Sequence, residues 1–158
     1  AHAYARNNLF LGGEPGSWNG YSSGSGRVLD IADLQTATSS FNHNGYGTTR
    51  SDFRGRIGTL SFNSLAELRS LSSETQAQRV DMAIFAAAPA FPQNPLTQYA
   101  EADLRLANDM RVVDTGERIA NINDGFSGSA PDLGAFERQV DGAQVFCDGF
   151  EPAACVRP

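Results

Sequence analysis

The sequence predicts an all-β chain of short strands ending in glycine turns, with one short helix on its side. Three observations predict it. Short apolar runs recur between glycine- and asparagine-rich turns, as in LFLGG at residues 9–13 and FNHNGYG at 41–47. A helical period occurs at one place, where Leu65, Leu68 and Leu71 recur three apart. The stretch APAFPQNPL at 88–96 cannot lie inside a sheet, because proline donates no backbone hydrogen bond.

The elements follow in order. ARNNLFLGG at 5–13 reads as a strand entering a glycine turn, with Leu9 and Leu11 on one face and Phe10 on the other. The paired amides Asn7 and Asn8 suit a corner where a side-chain amide bonds the backbone of a neighbouring chain segment, or else mark a simple turn. EPGSWNGYSSGSG at 14–26 has the composition of an exposed loop. VLDIADL at 28–34 alternates as a short strand, and SSFNHNGYGTT at 39–49 as a strand running into a second glycine turn. Ser64 and Glu67 stand at capping-box spacing and predict a short helix over about 65–72. VDMAIFA at 80–86 reads as a strand. Further strands are expected near 104–106, 112–113 and 135–136.

Composition narrows the function. The 158 residues suffice for one domain, and 41% hydrophobic content is ordinary for a globular protein. The net charge of −6 argues against nucleic acid, and the twelve basic residues, all arginine, are scattered singly from Arg6 to Arg157. No apolar run approaches the roughly 20 residues of a membrane span. The first residues, AHAYARNN, lack the features of a signal peptide, so an export signal is expected to lie upstream or to have been removed. Cys147 and Cys155 enclose FCDGFEPAAC and predict a disulfide, hence a secreted or cell-surface location, with two free thiols in a tail as the alternative. The chain divides into a folded part, 1–138, and a tail, 139–158.

Residues 121–137, NINDGFSGSAPDLGAFE, with ADLRLANDMRVVDTG at 102–116, resemble the closing rungs of secreted right-handed parallel β-helix proteins of the pectate-lyase-like superfamily. The shared pattern is a short strand, a DxG turn, a variable loop and PDLGAFE. It is matched by Asp114, Gly116, Pro131, Asp132, Leu133, Gly134, Ala135, Phe136 and Glu137. FNHNGYG and the Ser64 helix resemble a rung and a side insertion of the same proteins. The resemblance implies β-helix rungs with long loops and a C-terminal cap. It also implies a polysaccharide as partner, and either a structural role or a place in a polysaccharide lyase or glycoside hydrolase.

A coil of such a fold takes roughly 20 or more residues and is stable only when stacked, so two or three rungs leave an open end. Another chain or copy is expected to cover it, and head-to-tail contacts of that sort propagate into filaments. Side chains that could carry chemistry are few. A lyase needs a cation or metal to stabilise an enolate and a base to take the proton, for which Asp30, Asp33, Asp52 and Arg54 are the candidates; the alternative is solvated turn residues. Asp114, Asn121, Asn123, Asp124 and Asp132 supply hard oxygens for calcium, or equally bond their own turns. Trp18, Tyr21 and Tyr46, with Phe53, could stack on sugar rings or close their own loops. His43 in FNHNGYG is expected to be structural.

Overall fold

The computed structural model describes residues 2–94 and 96–138, apart from the side chains at 18 and 21–23. Strands dominate: ten short strands accompany a single α-helix among these residues. Strand β1 (Tyr4–Arg6) pairs in parallel with β6 (Ser40–Asn42), and β2 (Leu9–Gly12) with β7 (Gly45–Thr48). Both pairings join residues 36 apart, so the chain retraces its path once in register. A third parallel strand, β10 (Gln78–Val80), completes the sheet order β10-β7-β2. Strand β5 (Asp30–Ile31) lies parallel to β8 (Gly55–Ile57), which turns antiparallel into β9 (Leu60–Phe62).

The bend between β1 and β2 recurs between β6 and β7. Asn7 and His43, equivalent in register, both take left-handed backbone conformations, φ 58° and 52°. Asparagine tolerates that region best after glycine, and histidine more readily than most residues. The paired amides are therefore a corner.

The sheet β10-β7-β2 is buried on both faces. Phe10 and Tyr46 enter a core with Val28, Phe53, Ile57, Phe62 and Leu68, whereas Leu9, Leu11 and Val80 enter a second core with Ile84, Leu106, Val112 and Leu133. The expected division of Leu9 and Leu11 from Phe10 is what the pleat produces. Gly45 and Gly47 alternate with Tyr46 because the second face is crowded. A Cβ on Gly47 would stand 2.5 Å from the Val80 carbonyl oxygen.

Helix α1 (Leu65–Leu71) forms where the leucine spacing predicts it. The Ser64 side chain accepts from the Glu67 N–H at 3.1 Å, and Glu67 Oε2 accepts from the Asn63 N–H at 2.6 Å. Buried Leu68 carries the helix into the first core.

Several expectations are corrected. Residues 14–26 contain a hairpin, β3 (Gly16–Trp18) against β4 (Tyr21–Ser23), turned at Asn19 and Gly20, which both have positive φ. The strand expected over 28–34 shrinks to β5. That expected over 80–86 ends at Val80, where the Asp81 carboxylate accepts the Ala83 N–H and opens the 3₁₀ turn Met82–Ile84. No strand forms near 104–106, 112–113 or 135–136, and the one pairing there is an isolated antiparallel bridge, Phe85 to Leu106. Those apolar residues serve as a plug: Leu106, Val112 and Leu133 cover the outer face of the sheet through turns. The findings establish a mostly-β chain with short parallel ladders.

Candidate functional site

The corner after β1 and β6 holds a buried polar network among the described residues. Asn44 is fully buried, and its Oδ1 accepts from the Asn8 backbone N–H at 2.9 Å and from Asn8 Nδ2 at 3.1 Å. A backbone N–H only donates, which fixes the Asn44 amide with Nδ2 turned the other way. That nitrogen donates to the Ala5 and Asn42 carbonyls, each at 3.1 Å, and to Glu74 Oε1. The Tyr46 hydroxyl donates to the same carboxylate oxygen. Asn8, Asn44 and Glu74 thus form a directed ladder: Nδ2 to Oδ1, then Nδ2 to Oε1.

Glu74 closes that ladder from within the core. It is fully buried, and burial holds its carboxyl above the ordinary carboxylate range, partly offset by the hydrogen bonds from Tyr46 and Asn44. Burial, then the nearby Glu74 charge, pushes the Tyr46 hydroxyl far up, so it stays a donor. The third-pass residue in register with Asn44 is Ala77. Its N–H donates to the Glu74 carbonyl at 3.2 Å, and its carbonyl receives Arg69 Nε at 2.9 Å. Both groups of that corner are occupied.

At the other end the chain itself covers part of the corner: the Gly134 N–H donates to the Asn7 carbonyl at 2.7 Å, and the Glu117 N–H to Asn7 Oδ1 at 2.7 Å. Asn8 is exposed, and its Nδ2 is fixed on the Arg6 carbonyl at 2.8 Å, which leaves Oδ1 outermost. Among the described residues nothing donates to that oxygen, and β2 has no strand neighbour but β7. The Asn8 and Gly12 carbonyls face β7, where they accept the Gly45 and Thr49 N–H groups, so by the alternation of a parallel ladder Leu9 and Leu11 turn theirs outward. A groove of about 750 Å³ runs along this edge between residues 6–11 and an apolar wall that includes Phe85, Leu104, Leu106, Ile119, Ile122 and Phe126. Ile122 is 76% exposed. Arg6 braces the edge from beneath, bound to Glu117 at 2.6 Å and to the Ser40 carbonyl at 3.0 Å.

The other candidates fall in separate places. Asp30 is held by Arg27 at 2.7 Å and Arg56 at 2.8 Å, and Asp52 by Arg50 at 2.6 Å and Arg54 at 3.2 Å. These hydrogen bonds, Arg27 first for Asp30 and Arg50 for Asp52, hold both carboxyls below their ordinary range. Acids so paired are poor proton acceptors. Asp33 lies in the bend after β5.

Of the five oxygen donors expected to suit calcium, Asp114 and Asp132 come together, and Glu137 joins them unforeseen. Asp114 Oδ1 accepts the Ser129 N–H at 2.7 Å and Asp132 Oδ1 the Asp114 N–H at 2.8 Å, while Glu137 Oε1 accepts the Asp132 N–H at 3.1 Å. Asn123 and Asp124 close a neighbouring turn, on the Ile119 and Asn121 N–H groups, with Asn121 at positive φ. No group of three or more His, Cys, Asp or Glu among the described residues is arranged to hold a metal ion. Burial raises the Asp132 and Glu137 carboxyls.

Tyr46 is fully buried, stacked on Phe10 with ring centroids 5.3 Å apart, and Phe53 is buried with it. Tyr46 presents no face to a sugar. Trp18 and Tyr21 sit opposite each other in the hairpin register. His43 Nδ1 lies 3.3 Å from Glu117 Oε2 at the corner. Cys147 and Cys155 lie outside the described residues. No helix among the described residues is long and apolar enough to cross a membrane.

Comparison with family models, curated proteins and solved structures finds no match to this chain. The resemblance to pectate-lyase-like proteins rests on the residues quoted above. Asn7 and Asn8 read as a corner or a simple turn, whereas Asn44 and Glu74 were not singled out: the role of Glu74 depends on a carboxylate reaching a corner 30 residues earlier. The one local signal was an acidic residue between a helix and a strand.

Proposed function

We propose that the chain is an end module of a right-handed parallel β-helix, working outside the cell as a structural cap or surface-assembly unit. The observation that supports this most is the asymmetry of the strands, since among the described residues β1 and β2 have a strand neighbour on one side only, whereas the Ala77 corner has both its backbone groups bonded. The 36-residue register and the left-handed residue at each corner suit stacked coils. An uncovered strand edge beside apolar side chains recruits another chain. The mutual pairing of arginines and carboxylates favours a structural role over a catalytic one. The extracellular assignment rests on Cys147 and Cys155.

Sedimentation velocity across micromolar concentrations tests the module. We expect concentration-dependent association. A folded monomer of 16.9 kDa, unchanged with concentration, would show the edge to be self-sufficient and would defeat the reading.

A further inference from the structure

We propose that Asn19 is a self-modification site: the exposed asparagine–glycine pair at the tip of the β3–β4 hairpin loses ammonia and becomes a mixture of aspartate and isoaspartate. The site does not depend on the end-module reading. Asn-Gly occurs twice in the chain, at 19–20 and 44–45, each time followed by tyrosine, and the fold treats the two pairs oppositely. Asn19 and Gly20 are exposed and form the turn between the paired residues Trp18 and Tyr21, with φ 48° and 82°. Among the described residues nothing hydrogen-bonds the Asn19 side chain or the Gly20 N–H, and a Cβ on Gly20 would meet nothing within 4 Å. The amide carbon and the nitrogen that attacks it are both reachable by solvent.

In the step, the Gly20 nitrogen attacks Asn19 Cγ and gives its proton to solvent, the Cγ–Nδ2 bond breaks as ammonia leaves, and a succinimide ring closes. Glycine permits this because no Cβ flanks that nitrogen. Solvent water then opens the ring. Cleavage of the new bond from Cγ to nitrogen gives aspartate, and cleavage between the Asn19 backbone carbonyl and the nitrogen gives isoaspartate, which routes the main chain through Cγ. Either product adds a negative charge at the tip, and isoaspartate also lengthens the turn that aligns Trp18 with Tyr21. Asn44–Gly45 has the same chemistry without the access. Asn44 is fully buried, its Nδ2 donates to Ala5, Asn42 and Glu74, and its Oδ1 accepts from Asn8. The Gly45 N–H is given to the Asn8 carbonyl at 2.8 Å, and a Cβ on Gly45 would stand 2.7 Å from Leu9 Cδ2. No ring closes there unless β2 and β7 part. Asp124 also precedes a glycine, but Arg118 at 2.8 Å and the Asn121 N–H at 2.6 Å hold it as a carboxylate, a poor electrophile.

Trypsin cuts after Arg6, Arg27 and Arg50, so fragments 7–27 and 28–50 report the two pairs separately. The full chain is incubated at mildly alkaline pH, folded or in urea, then digested and sequenced by mass spectrometry against an unincubated sample. In urea both pairs should convert at similar rates, because both read Asn-Gly-Tyr. In the folded chain Asn19 should convert readily, and Asn44 more than about tenfold more slowly, since its reaction waits for local opening. Aspartate and isoaspartate should both appear at position 19. Asn19→Gln, whose longer side chain would have to close a larger ring, should leave fragment 7–27 unconverted. An Asn19 that stays intact in the folded chain overturns the site, as does conversion of 7–27 at Asn7 or Asn8, or in the Asn19→Gln variant. Equal rates at Asn19 and Asn44 in the folded chain would show that the fold does not select between them, and aspartate without isoaspartate would replace the ring by direct hydrolysis; either result defeats the proposal.

Discussion

The stacked strands and the plug that covers them are held by different means. In the strands, within residues 4–80, parallel ladders join the passes, and a side-chain relay from exposed Asn8 through buried Asn44 to the buried Glu74 carboxylate ties the three together. In the plug, residues 104–137, there is no ladder beyond one bridge, and carboxylates take over: Asp114, Asp132, Glu137 and Asp124 each accept backbone N–H groups that a sheet would have paired. The difference teaches where each region is vulnerable. The strands depend on a side chain that joins distant segments, and the plug depends on turns that only certain backbones can make.

Removing the shared carboxylate tests the strands and should give the largest effect. Glu74→Ala leaves the Tyr46 hydroxyl buried without its acceptor, at a cost on the order of 1–3 kcal/mol, removes one of three acceptors from Asn44 Nδ2 and opens a cavity in the core. We expect a loss of about 3 kcal/mol in urea unfolding, with hydrogen exchange quickened at β7 and β10. A loss below about 1 kcal/mol would mean that the ladder merely accompanies the stack.

A turn in the plug should break with a smaller and more local effect. Gly134 has φ 99°, and a Cβ there would stand 2.7 Å from Leu9 Cδ1. Valine is strained in that backbone region by about 1–3 kcal/mol, so Gly134→Val should lower stability by about 2 kcal/mol. Exchange should rise at Leu133, whose N–H binds the Val112 carbonyl, and hold steady at Gly45. An unchanged thermal midpoint would refute the turn. Equal loosening of β7 would show that plug and strands unfold as one.

How much of this was legible in the sequence follows the same division. Leu9, Phe10 and Leu11 announce a strand with two buried faces because the pleat alone separates them, and Ser64 with Glu67 announce a helix because a capping box lies within four residues. Both signals are local. Apolar residues in the plug, such as Leu106 and Val112, look like strand residues because burial selects the same side chains whether or not a ladder forms. Their true state was set by long-range partners: the Asp132 carboxylate takes the Asp114 N–H 18 residues away, and Pro131 presents its carbonyl to Gly116. At the site, Asn7 and Asn8 stood out as a corner or a turn, but the way the Asn8 amide is fixed was not legible, because the Arg6 carbonyl decides that only in the folded chain.

The smallest effect sharpens the comparison through pH. Burial raises the Glu74 carboxyl above its ordinary value of 4.5, so between that value and the folded one the native state keeps a proton that the unfolded chain has released. Stability from this group is complete below the unfolded value and is lost as pH rises through the folded one. Asp81 and Asp109 have the opposite sign. Hydrogen bonds from Arg111 lower both, so their contribution is present above 3.8 and disappears as pH falls through their folded values. Glu74→Gln keeps an acceptor oxygen for Asn44 and Tyr46 and cannot titrate. The variant should therefore unfold at a nearly unchanged urea midpoint at about pH 4 and show a shallower decline toward about pH 8, a difference on the order of 1 kcal/mol. Part of the decline should survive, because Asp132 and Glu137 in the plug are also raised by burial and share the sign of Glu74. Urea titrations of both proteins at the two pH values measure the strand contribution by difference. If the two curves run parallel, the decline belongs to the plug, and the buried carboxylate of the ladder is held without a proton across the whole range.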